Sequence, residues 1–157
     1  MIYVAEPNSL WEAPVVAMVT AEPKAMSTGN VVVNADGLVK GLSEEGKIAL
    51  YGIYFDTGRA EIKPESKPQL DEMAKILTAD KQRKVFIVGH TDNQGALTAN
   101  LALSQKRADA VVAYLIANYQ IDATRLSARG VANFSPVASN RNDAGRARNR
   151  RVELVEQ

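Results

Sequence analysis

Hydrophobic residues along this chain follow two periods, and the switches between them mark out its elements. Ile48–Phe55 is rich in β-branched and aromatic residues and apolar on both faces, which predicts a central strand. Ser66-Lys67-Pro68-Gln69 is a candidate capping box, and Leu70, Met73, Ala74 and Leu77 then recur at helical spacing. Lys84–Gly89 reads as a second strand, again apolar on both sides. The clearest helix is predicted over Ala96–Tyr119, with Leu97, Leu101, Ala108, Val111 and Leu115 on one stripe. Leu126–Val131 and Arg150–Val155 read as two more strands, the last reached through a long polar loop. The order β-α-β-α-β plus a final strand predicts a sheet with helices packed over one face.

Upstream the pattern is weaker. Short strands are expected at Ile2–Val4, Val15–Val19 and Val31–Val33, with Pro7, Pro14 and Pro23 breaking anything longer. Asn34-Ala35-Asp36 can cap a short helix over Leu38, Val39 and Leu42, with Gly46 as its stop. That is too little core for an independent domain. Residues 1–47 are therefore expected to be an N-terminal arm or the remnant of an upstream domain, and residues 48–157 the folded domain.

Composition changes this picture little. The chain has 157 residues, 46% hydrophobic and 24% charged, the profile of a globular domain with a real core. A formal net charge of +1 gives no whole-molecule argument for nucleic acid or membrane binding. The charge is uneven, however. Residues 1–50 hold six acids against three lysines, and residues 125–157 hold seven arginines against three acids. An acidic partner is expected at the C-terminal end. The absence of cysteine removes disulfides, thiolate nucleophiles and Cys-based zinc sites. No apolar run approaches the ~18 residues of a membrane span. Met1–Glu6 lacks the basic stretch and apolar core of a secretory signal, which leaves a longer precursor open.

Four segments carry candidate chemistry. Gly41-Leu42-Ser43-Glu44-Glu45-Gly46-Lys47 has the spacing of a phosphate-binding loop, but Ile48 stands where the metal-binding hydroxyl belongs and two glutamates would repel phosphate. A helix end followed by a strand accounts for it better. His90, the single histidine, closes an apolar strand with no second His or Cys for a zinc site and no Gly-x-Ser-x-Gly elsewhere, so a locally bonded strand-end histidine is expected. Gly89-His90-Thr91-Asp92-Asn93-Gln94-Gly95 leaves a buried strand and enters the long helix, a junction whose side chains and N–H groups face outward. Asn100 and Arg107, seven apart, lie about 20° from each other on that helix. If Arg107 bends back, Asp92, Asn100 and Arg107 converge on one polar pocket; an Asp92–Arg107 salt bridge with helix capping fits the same spacing. Finally, Gly145-Arg146-Ala147-Arg148-Asn149-Arg150-Arg151-Val152-Glu153 places arginines at a strand entrance, with Arg148 and Arg150 on one face and Arg151 on the other. Such a patch suits phosphate, carboxylate or nucleic acid, although only Phe134 is near for base stacking.

These motifs, in this order, resemble the OmpA-like C-terminal domain family of outer-membrane porins, peptidoglycan-associated lipoproteins and flagellar stator proteins. The likeness is carried by Phe55-Asp56, Gly89-His90-Thr91-Asp92, Asn100, Leu103-Ser104, Arg107-Ala108, Arg125-Leu126, Gly130, Pro136, Asn140 and the Gly145–Glu153 run. It spans about residues 48–157. One departure is Gly130-Val131-Ala132, where the family often has Gly-x-Gly. The resemblance implies an α+β fold, a β-α-β-α-β-β sandwich whose mixed sheet is covered on one face by helices. It further implies noncovalent binding of peptidoglycan through the diaminopimelate of its peptide stem, anchoring an envelope protein in the periplasm at the outer membrane. By the same resemblance, Asp92 receives the ligand's ammonium and Arg107 its distal carboxylate, with Asp56, Asn100 and Arg150 supporting them and Thr57 beside them. No catalysis, cofactor, metal or nucleic acid is expected, and a membrane only through an upstream part. The alternative is a protein- or polyanion-interaction domain using the C-terminal arginines, whose binding would weaken steeply with salt.

Overall fold

The computed structural model describes residues 31–157, which form one compact unit. The strands expected at Ile2–Val4 and Val15–Val19 lie outside the described residues. In chain order the elements are α1 (Ala35–Glu45), β1 (Lys47–Leu50), a 3-10 turn (Pro64–Ser66), α2 (Lys67–Ala79), β2 (Val85–Gly89), α3 (Leu97–Tyr119), a second 3-10 turn (Ala123–Arg125), β3 (Leu126–Gly130), α4 (Asp143–Asn149) and β4 (Val152–Glu156). The four strands make a mixed sheet of order β1-β4-β2-β3, in which only the β2–β3 pair is parallel. This is the expected α+β architecture.

The first strand is shorter than its apolar run and sits at the sheet edge, not in the centre. Pairing ends at Leu50, and a turn follows. The remaining apolar residues of the run are used beyond that turn: Ile53 is buried, and Phe55 bridges Ile62. The central positions belong to β4 and β2. In β2, Val85, Ile87 and Gly89 are buried and Phe86 and Val88 only half-buried. Ile87 pairs with Leu154, which is also fully buried, so alternation puts the core on their face of the sheet.

Helix α1 forms as its signals predict. Asn34 accepts from the Gly37 N–H, and Gly46 closes the helix at φ +74°. Its apolar side does not stand apart from the sheet: Leu38 and Leu42 are almost wholly buried in the same core as Leu50, Leu77 and Leu154. The phosphate-loop spacing is the end of this helix running into β1.

Two local signals were outweighed by tertiary bonds. Ser66 makes no cap bond; its hydroxyl accepts from the Tyr54 N–H at 2.8 Å and donates to the Tyr54 carbonyl. Gln69, fully buried, accepts from the Val33 N–H and donates to the Val33 carbonyl, at 2.8 and 3.0 Å. Residues 31–33 are thus not a strand; a side-chain amide takes the place of a neighbouring strand at Val33. The capping box is spent on fixing distant backbone, because a buried amide or hydroxyl must find partners wherever the fold brings them.

Helix α4 was not foreseen, and it overturns the extended reading of Arg148 and Arg150. Asn142 caps it by accepting from the Gly145 N–H at 2.7 Å, and Asp143 occupies its first turn. Arg148 is helical, Arg150 is the C-cap, and alternation begins only in β4. Fully buried Asn149 then ties the helix to the preceding loop, accepting from the Val137 and Ala138 N–H groups and donating to Ala138 and Asn140.

Candidate functional site

Because β2 and β4 are antiparallel while β2 and β3 are parallel, the C-terminal ends of β2 and β3 meet the start of β4 at one end of the strands. Three loops are laced together there. The His90 N–H donates to the Arg151 carbonyl, Thr91 N–H to Ala132 carbonyl, and Val131 N–H to Gly89 carbonyl. Helix α3 begins above them and lies close on the sheet. A Cβ at Gly89 would stand 2.2 Å from the Ser104 carbonyl oxygen, and one at Gly130 would stand 2.2 Å from the Gln105 nitrogen. Glycine at both positions is what lets the helix approach.

That approach reverses part of the expected stripe. In the first turns of α3 the buried residues are Asn100, Ser104 and Arg107, while Leu97 is 44% exposed; the apolar stripe starts only at Ala108 and continues through Val111 and Leu115. A buried polar face at a helix start needs partners. Asn100 donates to the Gln94 carbonyl at 2.8 Å and more distantly to that of Asp92 at 3.5 Å. Ser104 receives the Ala132 N–H at 3.0 Å.

Asp92 is nearly buried and does not cap α3, whose N-cap is Ala96. Its Oδ1 accepts from the Gln94 N–H at 2.9 Å, a local turn that shapes the loop. Its Oδ2 accepts from Arg150 Nη1 at 2.7 Å. The Asp92–Arg107 salt bridge that the spacing also allowed is not among the ion pairs of the described residues. Arg107 reaches instead to the segment after Phe55: Nε donates to the Arg59 carbonyl at 2.9 Å and Nη2 to the Asp56 carbonyl at 3.2 Å. Its guanidinium lies over the Phe55 ring, 5.0 Å from the centroid. Burial pulls the Arg107 guanidinium below its ordinary pKa, the neighbouring Arg150 pulls the same way, and Asp92 opposes both. Arg107 therefore lies within reach of the charges of Asp92 and Arg150. Among the described residues nothing accepts from Arg107 Nη1, so a donor remains for an outside anion.

The remaining expected residues stand differently. Asp56 contributes its carbonyl to Arg107, while its carboxylate is 65% exposed and 3.4 Å from Lys63 Nζ. Thr57 is exposed and makes no hydrogen bond among the described residues. The Phe55 ring and the Arg59 carbonyl were not read as parts of the site; Phe55 was visible in the sequence, but only folding brings its ring under Arg107. Among the described residues no group of His, Cys, Asp and Glu is arranged to hold a metal ion.

The arginine-rich run does not make one basic face. Arg151 is buried on the opposite side of the sheet, bonded twice to Glu153 Oε1 and once to the Ser135 carbonyl. His90 is there too, with Nε2 3.2 Å from Glu153 Oε2, a close contact without the alignment of a hydrogen bond. The local hydrogen bond expected of His90 is thus not made, and its ring lies against the Glu153 carboxylate of β4 instead. His90 and Arg151 hold the Glu153 carboxyl at about 2, against the burial that would raise it.

Comparisons with known proteins bear on the family and the fold. Over 140 residues, 89% of this chain, the sequence is 36% identical to outer membrane protein Omp38 of Acinetobacter baumannii, of which it spans 36%. It is 38% identical over 120 residues to the peptidoglycan-associated lipoprotein of Pseudomonas aeruginosa, covering 75% of this chain and 70% of that one. Among solved structures, the cell wall anchor of the type VI secretion system of Pseudomonas aeruginosa superposes with a TM-score of 0.60 at 30% identity, over 82% of this chain and all of that one. The chain thus spans only about a third of the length of Omp38. The OmpA family model matches residues 54–150, a stretch that holds Asp56, Asp92, Asn100, Arg107 and Arg150. With more than half its length so matched, the chain belongs to the OmpA family.

Proposed function

We propose that this chain binds peptidoglycan noncovalently through the diaminopimelate residue of the peptide stem, and so anchors an envelope protein to the cell wall in the periplasm, at the outer membrane. The observation that carries the reading is the meeting of Asp92, Arg107 and Arg150 where β2 ends and β4 begins, with an Arg107 donor left over. Relatives named as a peptidoglycan-associated lipoprotein and a cell wall anchor support it.

The chemistry follows from the ligand. The distal end of diaminopimelate carries an ammonium and a carboxylate on one carbon, so an acid and a guanidinium side by side recognise it as a unit. Guanidinium–carboxylate pairing can be bidentate, which an ammonium cannot reproduce. Each charge-assisted hydrogen bond contributes about 1.5–3 kcal/mol net. A lysine-type stem lacks that carboxylate, and desolvating Arg107 without an anion costs on the order of 2–5 kcal/mol. The polyanion alternative loses its basis in a continuous basic strand, because Arg151 is buried against Glu153 and Arg150 is paired with Asp92.

The test is a calorimetric or NMR titration with a diaminopimelate-containing muropeptide. Wild type is expected to bind, and Asp92→Ala and Arg107→Ala each to lose tenfold or more, about 1.4 kcal/mol. Heats or shifts that survive both substitutions would overturn the proposal.

A further inference from the structure

We infer that Arg150 holds, in the unliganded protein, the place at Asp92 that a ligand's ammonium must take, and that this self-occupied contact restricts the site to ligands bringing a carboxylate beside their ammonium. The inference rests on the reading of the site given above, and it adds to Arg150 a role as competitor.

Each Asp92 carboxylate oxygen already accepts a hydrogen bond. One is held by the Gln94 N–H and the other by Arg150 Nη1 at 2.7 Å. The Asp92 side chain is only 11% exposed, so little of its carboxylate is open to an incoming cation while Arg150 is bound to it. Arg150 is able to yield. Its side chain is 48% exposed, and among the described residues its bond to Asp92 is the one hydrogen bond that side chain makes. Its backbone stays fixed as the C-cap of α4, with its N–H donating to the Arg146 carbonyl. Displaced, the guanidinium remains tethered beside Arg107, which already feels its repulsion.

Charge balance then decides which ligands enter. Unliganded, the pocket holds one carboxylate and two guanidiniums. An ammonium alone would evict Arg150 and leave three cations around Asp92, in surroundings where burial weakens screening. A zwitterionic end exchanges partners instead: its ammonium takes Asp92 while its carboxylate takes up Arg107 and the released Arg150. Arg150 thus works against amines and with zwitterions, a repulsive element of the kind specificity requires.

The experiment titrates isotope-labelled protein with meso-diaminopimelate and with Nα-acetyl-lysine amide, whose side chain ends in an ammonium with no neighbouring carboxylate. Wild type is expected to prefer diaminopimelate strongly. Arg150→Gln removes the competing charge and is expected to bind the lysine amide about tenfold more tightly, narrowing the preference by at least that factor. Arg150→Lys keeps a cation opposite Asp92 and is expected to retain most of the wild-type preference. Diaminopimelate binding by wild type with an unchanged preference in Arg150→Gln overturns the competitor role and leaves the site reading standing. Failure of wild type to bind diaminopimelate overturns the site reading and this inference with it.

Discussion

Glu153 shows how much one position can depend on its neighbours. It is 5% exposed, yet it stays ionised because His90 lies 3.2 Å away and Arg151 donates to it at 2.7 and 2.9 Å. Its carboxyl sits near 2 in the folded chain against an ordinary 4.5, so folding favours the ionised form. That contribution to stability is complete above about pH 4.5 and is lost as pH falls towards 2. Glu153→Gln is therefore expected to flatten the acid limb of a urea-denaturation series over that window; an acid limb as steep as wild type would show that other carboxylates carry it. Glu153→Ala, which leaves Arg151 buried without its partner, is expected to cost on the order of 3–5 kcal/mol. Ala132 is another position with an unusual demand. At φ +48° and fully buried, it adopts a backbone conformation that glycine takes more easily, and two hydrogen bonds, to Thr91 and Ser104, hold it there. The family's second glycine is replaced without losing the loop.

The seating of α3 on β2 and β3 is the element-level feature on which the site depends. Asp92 belongs to the sheet's loops and Arg107 to the helix, so their separation is set by how closely the two layers pack. Gly89 and Gly130 set that distance, because the nearest atoms a methyl would meet are helix backbone and cannot turn aside. Gly89→Ala or Gly130→Ala is expected to destabilise the domain by about 3 kcal/mol, at the upper end of overpacking costs. Muropeptide affinity should fall as well, since Arg107 is carried outward with its helix. A substituted protein with wild-type denaturation midpoint and affinity would mean that the layers have slack. Helix α4 has a comparable role for the other cation, since it ends at Arg150 and is pinned to the loop before it by Asn149.

At the scale of the molecule, the question is where the domain begins. A start at residue 48 follows from the sequence pattern and from the likeness, whereas Leu38 and Leu42 of α1 are 0% and 1% exposed within the core. Fully burying a leucine contributes about 1.5–3 kcal/mol. A chain trimmed to 31–157 is therefore expected to keep a single cooperative unfolding transition, and one trimmed to 48–157 to lose roughly 3–6 kcal/mol. Equal midpoints for the two would return α1 to the arm.

The sequence by itself determined the α+β order, the helix caps at Asn34 and Gly46, and the placing of Asn100 and Arg107 near one face of the helix that follows the Asp92 loop. These are local matters: periodicity, cap chemistry and helical spacing need only a few residues to be expressed. Tertiary structure alone decided that β1 lies at the edge, that Ser66 and Gln69 bond to Tyr54 and Val33 and do not cap α2, and that Asp92 pairs with Arg150 and not Arg107. The edge position follows from strand order, and the other outcomes depend on which distant group the fold brings to a polar atom that burial obliges to find a partner.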